Sequence, residues 1–193
     1  MNVVGVLALQ GAFAAHRDRL TSIGARCALV RTPADLAGVD ALVMPGGESS
    51  TMSHLLSTSG LFDPVKEAIE GGMAVFGTCA GMILLAHRIL DGRDDQRSFD
   101  AIDIDVRRNA YGRQVDSFEH GIETPFGDFH GVFIRAPRIE RTGDAVEVLG
   151  RHRGEPVLVR QGAVLAASFH PELTDDARLH EYFVGHVMTR GSN

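Results

Sequence analysis

Cysteine is scarce in this chain: 193 residues hold two, Cys27 and Cys79, far apart in sequence. They make no disulfide framework, and with no signal peptide in view the expected setting is the reducing cytoplasm. There is no tryptophan and there are only two tyrosines, in a composition otherwise ordinary for a soluble globular protein. The apolar start, Met1 to Leu9, is too short and too abruptly ended for a membrane span, so no membrane association is expected. Basic residues are outnumbered 25 to 19, for a net charge of −6, which argues against nucleic acid as the main partner. The nine histidines are scattered, without the close pairs of a zinc site, and no metal is expected. No repeat, linker or low-complexity segment interrupts the chain. Its length fits one domain, residues 1–193, able to bury a core without disulfides or metals.

What is present is alternation. Val3 to Leu9, Ala25 to Val30, Asp40 to Met44 and Ala74 to Gly77 are apolar runs of strand length, as expected for strands buried on both faces. Between them, Phe13, His16, Leu20 and Ile23 recur at helical spacing, Thr32-Pro33 opens a short helix, and Met52, Leu55 and Leu56 mark a third helix. Leu61 to Glu70 is a fourth. This βαβ order predicts an α/β fold: a mostly parallel central sheet with helices on both faces, in three layers. Later strands are expected at Ala101 to Val106, Phe129 to Ile134, Ala145 to Leu149, Pro156 to Arg160 and Val164 to Phe169, largely as antiparallel additions. A last helix, capped by Asp175 or Asp176, is expected to run to about Met188 with Leu179, Phe183 and Val187 inward. The polar stretch Asp91 to Arg97 reads as a mobile loop.

The most informative stretch is Gly77-Thr78-Cys79-Ala80-Gly81. An apolar strand ends at one glycine, a cysteine follows, and a second glycine opens an apolar helix. With serine at the apex this arrangement is a nucleophile elbow, and the helix start favours thiolate. Taken alone, a buried structural cysteine between packing glycines fits as well. A thiol acting on an amide needs a base, an orienter for the base and donors for an oxyanion. The strand from Val164 delivers His170-Pro171-Glu172, and proline disfavours helix at His170. In extended backbone, His170 and Glu172 then point the same way. Pro45-Gly46-Gly47-Glu48-Ser49 ends another strand and offers backbone N–H groups, one from Gly47, with the second expected from Ala80. A plain strand-to-helix turn is the alternative there, and a phosphate loop is disfavoured by the missing lysine. Arg108 and Arg135 each end a strand-like stretch. Either can fork onto a carboxylate or remain a solvated charge.

Together these stretches resemble the triad-type (class I) glutamine amidotransferases and, within them, the glutaminase subunits of pyridoxal 5′-phosphate synthase. The resemblance rests on Leu7 to Phe13 with His16, on 45–49, 77–84 and 108–119, on Phe133-Ile134-Arg135-Ala136-Pro137, and on His170-Pro171-Glu172-Leu173. One departure is Ser50, where the family usually carries threonine; a hydroxyl is kept. The resemblance implies that Cys79 is the nucleophile, His170 the acid/base and Glu172 its orienter. It implies that Gly46, Gly47, Glu48, Arg108, Ile134 and Arg135 contact L-glutamine. It also implies that ammonia passes to a separate, oligomeric synthase subunit, a (β/α)₈ barrel, and that this chain holds no cofactor. The Gln10-Gly11 turn and the N-terminal strand are expected to form part of the docking face, with Ala12 and His16 as the positions where a change should disturb it. A glutaminase serving another synthase is the alternative, and a non-enzymatic binding or sensor protein of this fold a further one.

Overall fold

A computed structural model describes residues 2–108 and 117–188. The stretch Asn109 to Asp116, part of the 108–119 motif, lies outside the described residues. In chain order the elements are β1 (Val3–Leu7), α1 (Phe13–Ser22), β2 (Arg26–Val30), α2 (Pro33–Leu36), β3 (Ala41–Met44), α3 (Ser49–Thr58), α4 (Phe62–Glu70), β4 (Ala74–Thr78) and α5 (Ala80–Leu85). There follow β5 (Ala86–Ile89), β6 (Ile102–Arg107), β7 (Ser117–Thr124), β8 (Gly127–Ile134), β9 (Arg138–Thr142), β10 (Glu147–His152), β11 (Glu155–Gln161) and β12 (Val164–Ala167). A 3-10 turn (Pro171–Leu173), α6 (Arg178–Tyr182) and a π-helical turn (Phe183–Val187) end the described chain.

Nine strands form one sheet in the order β2-β1-β3-β4-β12-β11-β10-β7-β8. The first five are parallel, and the rest continue antiparallel. β5, β6 and β9 make a small second sheet. Apart from Arg26 at the start of β2 and Thr78 at the end of β4, the parallel strands carry apolar residues or glycine, so successive side chains feed opposite cores. Leu42, Met44 and Val75 point into one core, with Met52 and Leu56 of α3 and Phe62 and Val65 of α4. Ala41, Val43 and Phe76 point into the other, with Leu20 of α1 and Leu179 and Phe183 near the C-terminus. The expected three-layer α/β class is therefore what forms.

Four expectations change. The stretch Asp91 to Arg97 is pinned rather than mobile: Ser53 Oγ accepts from Arg97 N at 2.9 Å, Gln96 Nε2 donates to Ser49 Oγ at 3.0 Å, and the Arg97 guanidinium lies 3.6 Å over the Phe62 ring. β1 is covered by β2 and β3 on its two edges, and His16 is fully buried. Neither can form a docking face, and only the turn at Gln10 to Ala12 is left for that role. The last helix begins at Arg178 with no side-chain cap; Asp176 instead accepts from Arg178 N and its guanidinium. Its inner residues Leu179, Phe183 and Val187 are buried as expected. Cys27 reads in the sequence as a small buried apolar side chain, yet it is only half-buried.

Candidate active site

Strands β1, β3, β4 and β12 are adjacent and parallel, so their C-terminal ends share one rim, where open α/β sheets bind ligands. β1 runs out into Gln10-Gly11-Ala12, β3 into Pro45 to Glu48, β4 into Cys79 and β12 toward His170. The elbow at Cys79 is tight. Its backbone sits at φ 50° and ψ −104°, a conformation that costs a non-glycine residue about 1–3 kcal/mol and that surrounding structure must impose. The restraints are visible. Cys79 N donates to Ala167 O at 2.8 Å, fastening the elbow to β12. A Cβ on Gly77 would meet Gly81 C and Leu85 Cδ1, each at 2.6 Å, and a Cβ on Gly81 would run into the Met44 carbonyl of β3. Glycine on both sides of the cysteine thus lets helix α5 descend directly onto the sheet.

His170 comes three residues after β12 and is held by its own N–H, which donates to Val132 O of β8 at 2.8 Å. Its Nδ1 is 2.7 Å from Glu172 Oε1. The expected pairing of imidazole and carboxylate forms, but through the 3-10 turn at Pro171–Leu173 rather than through extended backbone. Gly46 fits between the Cys79 and His170 side chains: a Cβ there would overlap the His170 ring and lie 3.3 Å from Cys79 Cβ. Cys79 and His170 line the same cavity of about 410 Å³, with Gly46, Gly47, Glu48, Arg108, Ile134 and Arg135. Ala80 is fully buried beneath the elbow, and Glu172 is buried at the edge of the cavity behind His170.

The glycine loop is braced from β1. Gly46 O accepts from Ala12 N at 3.3 Å, and Glu48 N donates to Gln10 Oε1 at 3.1 Å. Glu48 turns back to cap α3, accepting from Ser50 N at 3.1 Å and Thr51 N at 2.7 Å. Both hydroxyls join in, that of Ser50 reaching both carboxylate oxygens at 2.8 and 2.7 Å, so serine does here what a threonine hydroxyl would do. Burial pushes the Glu48 carboxyl up, but these donors outweigh it and bring its pKa down to about 2. Arg108 lies 3.7 Å from Glu48 and donates to Gln96 Oε1 at 3.1 Å. Arg135, exposed at the end of β8, holds φ 43°.

A family model described as the SNO glutamine amidotransferase family matches residues 6–189. The chain belongs to that family. A curated relative from Corynebacterium jeikeium, called pyridoxal 5′-phosphate synthase subunit PdxT, is 53% identical over 194 aligned positions, covering 98% of each chain. One from Thermus thermophilus with the same name is 54% identical and covers 94% of this chain and 96% of its own. A solved structure described as a glutamine amidotransferase superposes with a TM-score of 0.91 at 50% identity, covering 96% of this chain and 98% of that one.

In this SNO-family chain the electrostatics favour a charged imidazole. Burial alone would lower the His170 pKa, but hydrogen bonds to Cys79 and Glu172, with their charges, raise it to about 10. With Nδ1 committed to Glu172, Nε2 is the nitrogen left for the thiol. Glu172, although burial pushes it up, is drawn below the usual carboxylate range by His16 and His170. Six residues that the motif reading did not assign to the cavity also line it: Gln10, Gly11, Ala12, Ser49, Ile83 and Leu173. All six lie inside the stretches that carry the family resemblance, which marks the stretches but not which of their residues face the cavity.

Proposed function

We propose that this chain is a glutaminase that hydrolyses L-glutamine to glutamate and ammonia through a Cys79–His170–Glu172 triad. It passes the ammonia to the synthase subunit of pyridoxal 5′-phosphate synthase. The observation that carries the reading is the junction of elbow and base: Cys79 and His170 on adjacent strand ends, facing one cavity, with Glu172 bound to the far ring nitrogen. The PdxT name of relatives 53% identical over the full length supports the partner and the pathway.

The chemistry follows from the groups present. The Cys79 sulfur attacks the side-chain amide carbon of glutamine, forming a C–S bond, and the carbonyl oxygen takes up negative charge. Backbone N–H groups of Gly47 and Ala80 receive that oxyanion. The protonated His170 gives its Nε2 proton to the amide nitrogen, the C–N bond breaks and ammonia leaves. Water then attacks the thioester while His170 takes its proton. The C–S bond breaks, and glutamate departs with Cys79 restored. Glu172 keeps the imidazole oriented throughout. Arg108 and Arg135 pair with the glutamine α-carboxylate, Ile134 packs on its stem, and Gly46, Gly47 and Glu48 shape the floor. No cofactor takes part in these steps.

The partner is an oligomeric (β/α)₈ barrel that engages the rim turn Gln10 to Ala12. Because Ala12 N and Gln10 Oε1 hold the Gly46–Glu48 backbone, movement of the turn on docking would reset the N–H that receives the oxyanion. The whole chain, residues 1–193, works as one glutaminase domain in the cytoplasm. Among the described residues, no helix is long and apolar enough to cross a membrane. Glutamate release from glutamine, measured with and without the synthase subunit, tests the reading. Stimulation by the barrel is expected, and stimulation only by a different acceptor subunit would reassign the partner.

A further inference from the structure

We propose that His16 is a positioning residue for the triad: it holds the second carboxylate oxygen of Glu172 from behind, and His180 fixes which ring nitrogen of His16 carries the proton. The inference rests on the glutaminase reading above.

The starting point is an oxygen with too little to do. Glu172 is 4% exposed. Its Oε1 receives the His170 ring, while Oε2 is buried with no hydrogen-bond partner among the described residues. A carboxylate oxygen left so in a dry interior is costly and free to swing. What faces it is His16 Nε2, 3.3 Å away and itself fully buried on α1. The same nitrogen lies 3.0 Å from Thr78 Oγ1, one residue before the elbow cysteine. On its other side, His16 Nδ1 is 3.0 Å from Nε2 of His180, a buried residue of α6.

Two proton placements are possible, and the far nitrogen decides between them. His180 Nδ1 has no hydrogen-bond partner among the described residues. If His16 donated from Nδ1 to His180 Nε2, His180 would have to bury an unpaired N–H at Nδ1, and His16 would turn a lone pair toward the Glu172 carboxylate. Orphaned buried N–H groups are the rarer and dearer kind. In the reverse placement, His180 Nε2–H donates to His16 Nδ1. His16 Nε2–H is then shared between Thr78 Oγ1 and Glu172 Oε2, and only a lone pair is left over at His180. That placement satisfies the donors and puts an N–H dipole against the carboxylate.

The charges around the pair agree with two neutral rings. Burial holds His16 below its ordinary pKa, against the pull of Glu172 and together with the push of His170. Burial holds His180 well below it, with His16 and Arg19 acting in the same direction. Glu172 and His170 face His16 from the segment after β12, His180 faces it from α6, and Arg19 stands one turn along α1; Cys79 acts from beyond His170. The Phe76 ring meets both imidazoles edge-on. Packing alone would be served more cheaply by an apolar side chain, since burying two imidazoles costs desolvation. A fixed N–H on Glu172 keeps the carboxylate ionised and in one rotamer, and so keeps His170 in line with Cys79.

The test measures glutamine turnover by the complex of this chain with its synthase subunit. kcat is taken per site titrated with a thiol-reactive glutamine analogue, from about pH 5 to about pH 9. His16→Met, similar in volume but without the donor, is expected to lower kcat roughly 10- to 100-fold with KM within about twofold. The acid limb of its kcat profile is expected to move up by about one pH unit, because Glu172 loses a donor to its charged form. His16→Gln carries an amide N–H near the place of Nε2 and should recover most of the loss. His180→Phe should fall between them, with the limb moved the same way, and it decides the matter if His16→Met does not fold. A folded His16→Met or His180→Phe with wild-type kcat and acid limb overturns the proposal, as does His16→Gln falling as far as His16→Met. Cys79→Ala in the same assay separates the two readings. Turnover by it would sink the glutaminase assignment, whereas an inert Cys79→Ala beside wild-type His16 variants would sink this inference alone.

Discussion

Cys79 holds positive φ without being glycine, and the surrounding contacts explain why it stays there: one backbone bond to β12 and two glycines with no room for a methyl. At this scale the sequence was informative about identity and poor about depth. Cys79, His170 and Glu172 stood out because their spacing is chemical. His16 reads as a residue on a helical stripe, as part of the N-terminal family motif and as a neighbour of the docking face, none of which points to the triad, and nothing singles out His180. Nothing local distinguishes a histidine on an amphipathic helix that faces a buried carboxylate from one that faces water; the partner is 156 residues away for His16 and Glu172. One consequence belongs to single residues. His170 owes its raised pKa to Cys79 and Glu172 acting against burial. In Cys79→Ala the imidazole titration, followed by NMR, is therefore expected to fall below that of the wild type. A Gly46→Ala variant would set a methyl into the His170 ring and beside Cys79. It is expected to lose at least about tenfold in glutaminase kcat, with a thermal midpoint within a few degrees of the wild type.

Elements were legible where both faces are buried. β1, β3, β4 and β12 are continuous apolar runs stopped by a turn, and each was anticipated to within a few residues. β5, β7 and β9 were not anticipated. Ala86–Ile89 carries two charged or polar exposed residues, Ser117–Thr124 buries only Ile122, and Arg138–Thr142 buries only Ile139. A strand that keeps most of its side chains wet leaves no period-2 apolar signal, whether it lies at a sheet edge, as β5 and β9 do, or between two neighbours, as β7 does. The start of α3 supports a prediction at this scale. Glu48 has a folded pKa of about 2 against an ordinary 4.5. A depressed carboxylate contributes stability that is fully present above the ordinary value and is lost as pH falls through the folded one. Glu48→Gln should thus cost about 1 kcal/mol at neutral pH, the small size reflecting a side chain half open to solvent. The difference should shrink between pH 4.5 and about 2, and urea unfolding at several pH values would show it. Gly81→Ala, whose Cβ would strike the Met44 carbonyl, should destabilise by roughly 1–3 kcal/mol in the same measurement.

For the molecule as a whole, the sheet order turns a list of motifs into a site. Four motifs lie at the ends of β1, β3, β4 and β12, and only the order β1-β3-β4-β12 within the sheet makes them neighbours. The βαβ alternation announced the parallel half; the insertion of β12 beside β4, which brings His170 to Cys79, could be inferred only from the chemistry. The two buried neutral histidines also act at this scale. His16 and His180 are held below their ordinary 6.5, so below that pH the unfolded chain binds protons that the folded chain refuses. Stability should therefore decline as pH falls from about 6.5 toward 5, and His16→Gln should flatten that decline in chemical denaturation. The central claim is that Cys79 cleaves glutamine for a bound synthase. It is tested most directly by glutamate released from glutamine by wild type and Cys79→Ala, each with and without the pyridoxal 5′-phosphate synthase barrel. The expected result is turnover by the wild type that rises when the barrel is added, and none by Cys79→Ala in either state. Equal turnover by the two proteins would contradict it.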